Sequence, residues 1–196
     1  MQGGSVMTGR SKNTREKLIL AGIEEINTHG VTEFSIRRVA AACQVSCAAP
    51  YKHFKDKRDF IAAVIEHVNE QWHHRQTDIL AHCTGSLREQ IVEVCVAYVA
   101  FLMEQPHYRG VLMLKDEQFD NLYHKIRGQM SSVMQQMQAR FFDQIGYDEA
   151  TIRRKLLLVR SLLFGSVFLF DAGEIDYGPE ALENIRRSIH REFDLP

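Results

Sequence analysis

Apolar residues recur along this chain at intervals of three and four, and no run alternates in the two-residue rhythm of a strand. Leu18, Ala21, Gly22 and Ile26 form the apolar face of a first helix. Its start is predicted at Asn13, with Glu16 three residues on in a capping-box arrangement, and its stop at Gly30. Ser35 caps a short second helix through Cys43. Gln44-Val45 makes a tight turn, and Ser46 caps a third helix ending near Phe54. Asp56 with Asp59 caps a longer helix to about His82. The run Ser86-Leu87-Arg88-Glu89 is a complete capping box for the next, which ends at Gln105-Pro106 because the residue before proline resists helical torsions. A short helix over 107–115, a long one from about Gln118 to Ile145, an apolar one from Asp148 to about Phe170, and a last one from Gly178-Pro179 to about Phe193 complete the pattern. The expectation is an all-α chain of nine helices: a polar, disordered tail over 1–12, a three-helix unit over 13–64, and a six-helix unit over 65–196.

Composition adds limits rather than a fold. The 196 residues are 45% hydrophobic and 25% charged, enough to bury a core without disulfides. The most apolar segment, Leu156 to Phe170, is shorter than the ~20 residues of a membrane span and contains Arg160, so no membrane partner is expected. The N-terminal stretch lacks an apolar signal core, which predicts a cytoplasmic protein with reduced thiols at Cys43, Cys47, Cys83 and Cys95. The net charge of −1 hides an asymmetry: residues 1–60 carry ten Lys and Arg against six Asp and Glu, while the rest is acidic. A basic head on an acidic body suits contact with a polyanion, although such an imbalance also arises without one.

Two short capped helices joined by a tight turn, with Val39, Ala40 and Val45 inside, read as a helix-turn-helix. On helix pattern alone an ordinary helical hairpin fits equally well. Residue detail separates the two. Val45-Ser46-Cys47-Ala48-Ala49-Pro50-Tyr51-Lys52-His53-Phe54, followed by Lys55-Asp56-Lys57-Arg58-Asp59-Phe60, resembles the DNA-binding signature of the TetR family of transcriptional regulators, and so does Gly30-Val31 with Phe34-Ser35-Ile36 upstream. The resemblance implies a ligand-responsive, sequence-specific regulator, by expectation a repressor, acting as a homodimer on a pseudo-palindromic double-stranded DNA operator. Ser35 and Ser46 cap their helices, and Ser35 at a helix N-terminus can meet a phosphate. Arg37 can reach a base edge. By the resemblance, Cys47, Ala48 and Lys52 face the groove floor, and Tyr51, His53 and Lys57 clamp phosphates. Cys43-Gln44 stands where many relatives carry Ala-Gly, and Pro50 removes an N–H that would have bonded back to Ser46.

The remaining chain shows no catalytic signature, so no enzyme activity and no cofactor are expected. Met130, Met134, Met137 and Phe141 share one helix face, suited first to filling a core and second to lining an irregular apolar pocket. The resemblance implies a pocket for a small apolar or amphipathic ligand, with Trp72, Tyr98, Phe101, Met113, Phe119, Met134 and Phe168 as candidate lining. The helix over 156–170 is apolar nearly all round and must be covered on all sides, which predicts a dimer interface using Leu162, Gly165, Leu182, Ile185 and Ile189. Two rival readings stay open: metal sensing through His67, His73, His74, His82, His107 and His124, although no metal-ligand spacing motif occurs, and redox sensing through Cys43 and Cys47.

Overall fold

The computed structural model describes residues 5–112 and 132–195, and every regular element among them is helical. In chain order these are α1 (Ser5–His29), α2 (Ile36–Ala42), a 3₁₀ turn (Pro50–Lys52), α3 (Lys57–His82), α4 (Leu87–Glu104), α5 (Pro106–Leu112), α6 (Ser132–Ile145), α7 (Glu149–Asp171) and α8 (Pro179–Asp194). The caps account for most boundaries. Ser86 Oγ accepts from Glu89 N while the Glu89 carboxylate accepts from Ser86 N, and Asp148 accepts from Thr151 N at 2.7 Å. Gly30 closes α1 at φ +75°, a left-handed conformation that glycine adopts without penalty.

One expectation changes. The first helix begins at Ser5, so Asn13 lies inside it and residues 5–12 are helical where a disordered tail was expected. With no proline in that stretch, adding turns to a formed nucleus is easier than starting a new helix at a cap. The helix expected from Gln118 is described from Ser132 only; its earlier part lies outside the described residues. The chain falls into two compact units. One compact unit takes the chain through Glu70 together with the residues from His107 that form α5, and the other takes Gln71–Pro106 and the chain from Ser132.

In the N-terminal unit, Leu18, Ile19, Ile23 and Ile26 of α1 and Phe60, Ile61, Val64, Ile65 and Val68 of α3 are buried, each large side chain contributing about 1.5–3 kcal/mol. Gly22 permits the close approach of these helices: a Cβ there would stand 2.9 Å from Val64 Cγ2 and 3.1 Å from the Phe60 ring. Phe60 stacks on Phe54 at 4.0 Å between centroids and meets Phe34 edge-on at 5.4 Å, which seats the loop segments of the unit on α3. The first turn of α5 belongs to this unit. Asn27 Nδ2 donates to His107 O at 2.8 Å, and the Tyr108 and His67 rings meet edge-on at 6.3 Å.

In the second unit α4 is the central element, with Ile91, Val92, Val94, Cys95, Val96, Val99, Ala100, Phe101 and Leu102 all buried. A helix apolar on most sides needs neighbours on most sides. The apolar face of α8 (Ile185, Ile189 and Phe193) supplies one of them, fixed by Arg186, which donates to both Glu93 carboxylate oxygens at 2.7 and 3.0 Å. The C-terminal end of α8 is held from α7. Lys155, wholly buried, donates through Nζ to Glu192 O at 2.7 Å and Leu195 O at 2.6 Å, and its ammonium lies 4.9 Å from the Tyr147 ring centre. Tyr147 itself donates to Phe193 O at 3.2 Å. These donors answer carbonyls that a helix end leaves without partners.

Candidate nucleic-acid interface

The helix-turn-helix begins at a buried carboxylate. Glu25 occupies the core stripe of α1 with Leu18 and Gly22, yet it is an acid, and it accepts from Ser35 N at 3.0 Å and from Arg38 Nε at 2.8 Å. His29 Nδ1 lies 3.3 Å from its other oxygen. Burial pushes the Glu25 carboxyl up, but the Arg38 and Ser35 hydrogen bonds with the charges of Arg38 and His29 outweigh it and hold the group below the ordinary carboxylate range. Glu25 thereby pins the start of α2, where Ser35 Oγ also accepts from Arg38 N at 3.4 Å.

α2 ends in a two-bond reversal. Val45 N donates to Ala40 O and Gln44 N to Ala41 O, both at 3.0 Å, the pattern of a Schellman motif. Its left-handed position is Gln44, at φ +56°. The turn therefore forms without glycine, at a backbone cost of about 1–2 kcal/mol for an L residue.

The segment after this turn is shorter in its regular part than expected. The third helix, expected over 46–54, is a turn followed by the 3₁₀ helix Pro50–Lys52. Pro50 has no N–H to return to Ser46, so Ala49 N bonds Ser46 O at 2.9 Å, His53 N bonds Pro50 O at 2.9 Å, and the three-residue spacing prevails. The segment nevertheless presents a polar, open surface. Ser46, Cys47, Ala48, Tyr51 and Lys52 are exposed, Tyr51 at 60%, while Pro50 and Phe54 face inward.

Of the residues expected to meet DNA, Arg37 is exposed on α2, and Ser35 and His53 are half-buried at the edges of the same surface. Lys57 is differently engaged: its Nζ donates to Thr32 O at 2.8 Å, tying the first turn of α3 to the loop before α2. Sequence reasoning missed Arg15, exposed on α1, whose guanidinium lies 5.5 Å from the Phe54 ring centre and so beside the end of the Ser46–Phe54 segment. It also missed Glu25 and Arg38. An acid in the apolar register of α1 was the available signal, since a buried carboxylate requires a partner.

In the second unit Trp72, Tyr98 and Phe101 come together, with ring centroids 4.9 Å apart for Trp72–Tyr98 and 5.5 Å for Trp72–Phe101. Met134 is half-buried, and Met113 and Phe119 lie outside the described residues. Phe168, expected among the lining residues, is instead 65% exposed on α7, because it falls on the outward stripe of that helix. A cleft of about 520 Å³ lies elsewhere, between α6 and α7, lined by Gln135, Phe142, Asp143, Tyr147, Ile152 and Leu156 among others.

The expected interface residues also divide. Ile185 and Ile189 are buried in their own unit, at 4% and 0% exposure, so the apolar face of α8 is spent on the core rather than offered outward. Leu162, Gly165 and Leu182 are half-buried. The outward apolar surface belongs to α7, where Leu157, Leu158, Phe164 and Phe168 are all exposed.

The rival chemistries gain little. Among the described residues no three His, Cys, Asp or Glu side chains are grouped to hold a metal, and His124 lies outside them. The Cys43 thiol donates to Lys17 O, and burial pushes its pKa up, away from the reactive thiolate. Cys47 is exposed. Among the described residues no helix is long and apolar enough to cross a membrane.

Comparison with known proteins places these features. The family model described as bacterial regulatory proteins, tetR family, matches residues 18–64. Similar solved structures include a TetR family transcription regulator from Marinobacter aquaeolei VT8, at TM-score 0.75 and 18% identity over 94% of this chain and 97% of that one. A TetR-like transcriptional regulator from Rhodococcus sp. RHA1 has TM-score 0.75 and 14% identity over 93% and 97%. The transcriptional regulator FadR from Bacillus subtilis, solved in complex with stearoyl-CoA, has TM-score 0.68 and 17% identity over 89% and 94%. No curated protein matched by sequence.

Proposed function

We propose that this chain, a tetR-family protein by its N-terminal domain, is a ligand-responsive DNA-binding regulator that works in the cytoplasm as a homodimer and represses transcription, with no enzymatic activity of its own. The observation that carries the reading is the open segment from Ser46 to Lys52, held out by a glycine-free Schellman turn and flanked by cationic side chains. In this reading Arg37 and Lys52 contact base edges in the major groove beside Cys47 and Ala48. Ser35, Ser46, Tyr51, His53 and Arg15 meet the backbone, and Lys57 positions the head through Thr32.

The homodimer rests on α7. Four large apolar side chains open to water on one helix are a surface that a second copy of the same helix covers, with Gly165 allowing close approach and Leu162 and Leu182 at the margin. Two-fold symmetry then gives two reading segments for a pseudo-palindromic operator, about 34–36 Å apart. The ligand is small and apolar or amphipathic. The stearoyl-CoA held by the Bacillus subtilis relative supports that class, and the Trp72–Tyr98–Phe101 cluster offers a matching surface. α3 supplies residues to both units and is the element through which occupancy reaches the reading head.

A gel shift on duplex DNA flanking the protein's own gene, repeated across a salt series, tests this function. Log affinity is expected to fall linearly with log salt, by about 0.9 per phosphate neutralised. The absence of any shift at low salt refutes the regulator. Sedimentation of Phe168→Asp tests the assembly: monomers are expected where the unaltered chain forms dimers, and a monomeric unaltered chain overturns the homodimer.

A further inference from the structure

Among the described residues of the second unit, Gln76 is the buried side chain with no polar atom partnered, since Arg88, whose Nε lacks a partner, bonds through its other nitrogens. Gln76 of α3 is 1% exposed, and among the described residues neither its Nε2 nor its Oε1 has a hydrogen-bond partner. Gln76 continues the buried stripe of α3 through Val68 and Trp72, one turn beyond the tryptophan and on the same face. The neighbouring helix α4 meets this stripe with the Tyr98 and Phe101 rings, and its buried residues in the preceding turns, Ile91, Val92, Val94 and Cys95, are apolar. A primary amide carries two donors and two acceptor sites, and leaving them all unmade in an apolar interior is a penalty that native interiors rarely carry without a reason. For a helix surface serving only to pack, leucine or methionine at this position would be better.

We propose that the Gln76 carboxamide is the polar anchor of the ligand site, and that the ligand is an amphipathic molecule with an amide- or carboxylic-acid-like group, donor and acceptor side by side, attached to an apolar body that packs on Trp72, Tyr98 and Phe101. The inference rests on the ligand-responsive reading and deepens it by naming the group recognised. It also supplies an energetic bias. With no ligand the helices close over an unpaired amide; a ligand entering between α3 and α4 pairs that amide at both ends and removes the penalty, so occupancy favours the parted arrangement. A purely apolar compound of equal size leaves the amide unpaired and gains no such preference.

Trp72 is the sole tryptophan of the chain, so its emission reports on this site alone. Cyclohexanecarboxamide and methylcyclohexane, both transparent where tryptophan absorbs, are a matched pair of probes differing in the amide. Titrated against the full-length protein, the amide is expected to shift Trp72 emission at a concentration about tenfold lower than the hydrocarbon. In Gln76→Leu that preference should vanish while the hydrocarbon binds as well or better, and the variant should melt at or above the temperature of the unaltered chain because an orphaned amide is gone. Retention of the preference in Gln76→Leu, the lack of any emission change with either probe, or a clearly lower melting temperature of the variant would each overturn the assignment. Operator binding measured on the same samples separates the two readings: a chain that grips DNA but fails these tests remains a regulator with its anchor elsewhere.

Discussion

Replacing Lys155 with methionine removes an ammonium and keeps the bulk of its stem. The side chain is wholly buried, and its two short hydrogen bonds, at 2.7 Å to Glu192 O and 2.6 Å to Leu195 O, serve the last turn of α8. A fully buried carbonyl stripped of its donor costs about 1–3 kcal/mol, so about 2–6 kcal/mol is the ceiling for the two, which are part-buried, with Leu195 itself 43% exposed. Two effects reduce that figure. Methionine avoids the desolvation of a buried ammonium, and the freed end of α8 can turn its carbonyls to water by fraying. The Glu192 carboxylate, 3.8 Å away and only 14% exposed, also loses its nearest buried cation but keeps Arg154 at 3.3 Å. The expected loss is about 2–3 kcal/mol, which in a chain of this size lowers the melting temperature by about 5–10 °C. Calorimetry of the full-length protein gives the shift, and hydrogen exchange localises it: amides of the last two turns of α8 should lose protection before those of α4. A melting temperature unchanged or raised would refute the reasoning, because it would mean that the buried ammonium costs as much as its hydrogen bonds return.

Three further outcomes follow from the N-terminal unit. Arg37→Ala is expected to weaken the preferred operator by about 1–3 kcal/mol while leaving binding to unrelated DNA nearly unchanged, as read by competition gel shifts. Gln44→Gly relieves a left-handed L residue but gains unfolded-chain entropy, for a net stabilisation of about 0.5 kcal/mol in chemical denaturation. Glu25 has a folded pKa held below its ordinary 4.5, so the stability it contributes is present above pH 4.5 and disappears as pH falls through the lowered value. The N-terminal unit of Glu25→Gln should therefore show a flatter acid limb in unfolding followed from pH 6 to pH 2.5, with lower stability at neutral pH.

The relation between sequence and structure differs by element. Caps were legible because each is a local bond between residues three apart, as at Ser86 with Glu89 and Asp148 with Thr151. The first helix and the turn of the helix-turn-helix were legible for the same reason, down to a turn without glycine at Gln44, whereas the α-helix expected after it was not found. The apolar stripe of α8 was equally visible, yet its partner was not: periodicity says that Ile185 and Ile189 are covered and says nothing of whether their own α4 or a second copy covers them. The outward apolar stripe of α7 was hidden for the converse reason, since a helix apolar on most sides does not declare which side is left over. Pro50 was read as the loss of one hydrogen bond, whereas its effect extends through the whole segment, because that bond was one of the few an α-helix of such length could form.

The clamped geometry around Pro50 has a thermodynamic consequence. A loop that organised itself only on reaching a duplex would surrender backbone freedom at that moment, and affinity would be diminished accordingly. Here the pyrrolidine ring fixes one torsion, the reversal at Gln44 locks the approach, and the stacked Phe54 and Phe60 rings seat the exit. The ordering is thus settled when the protein folds, and in the proposed role each encounter with nucleic acid begins from a finger already set in shape.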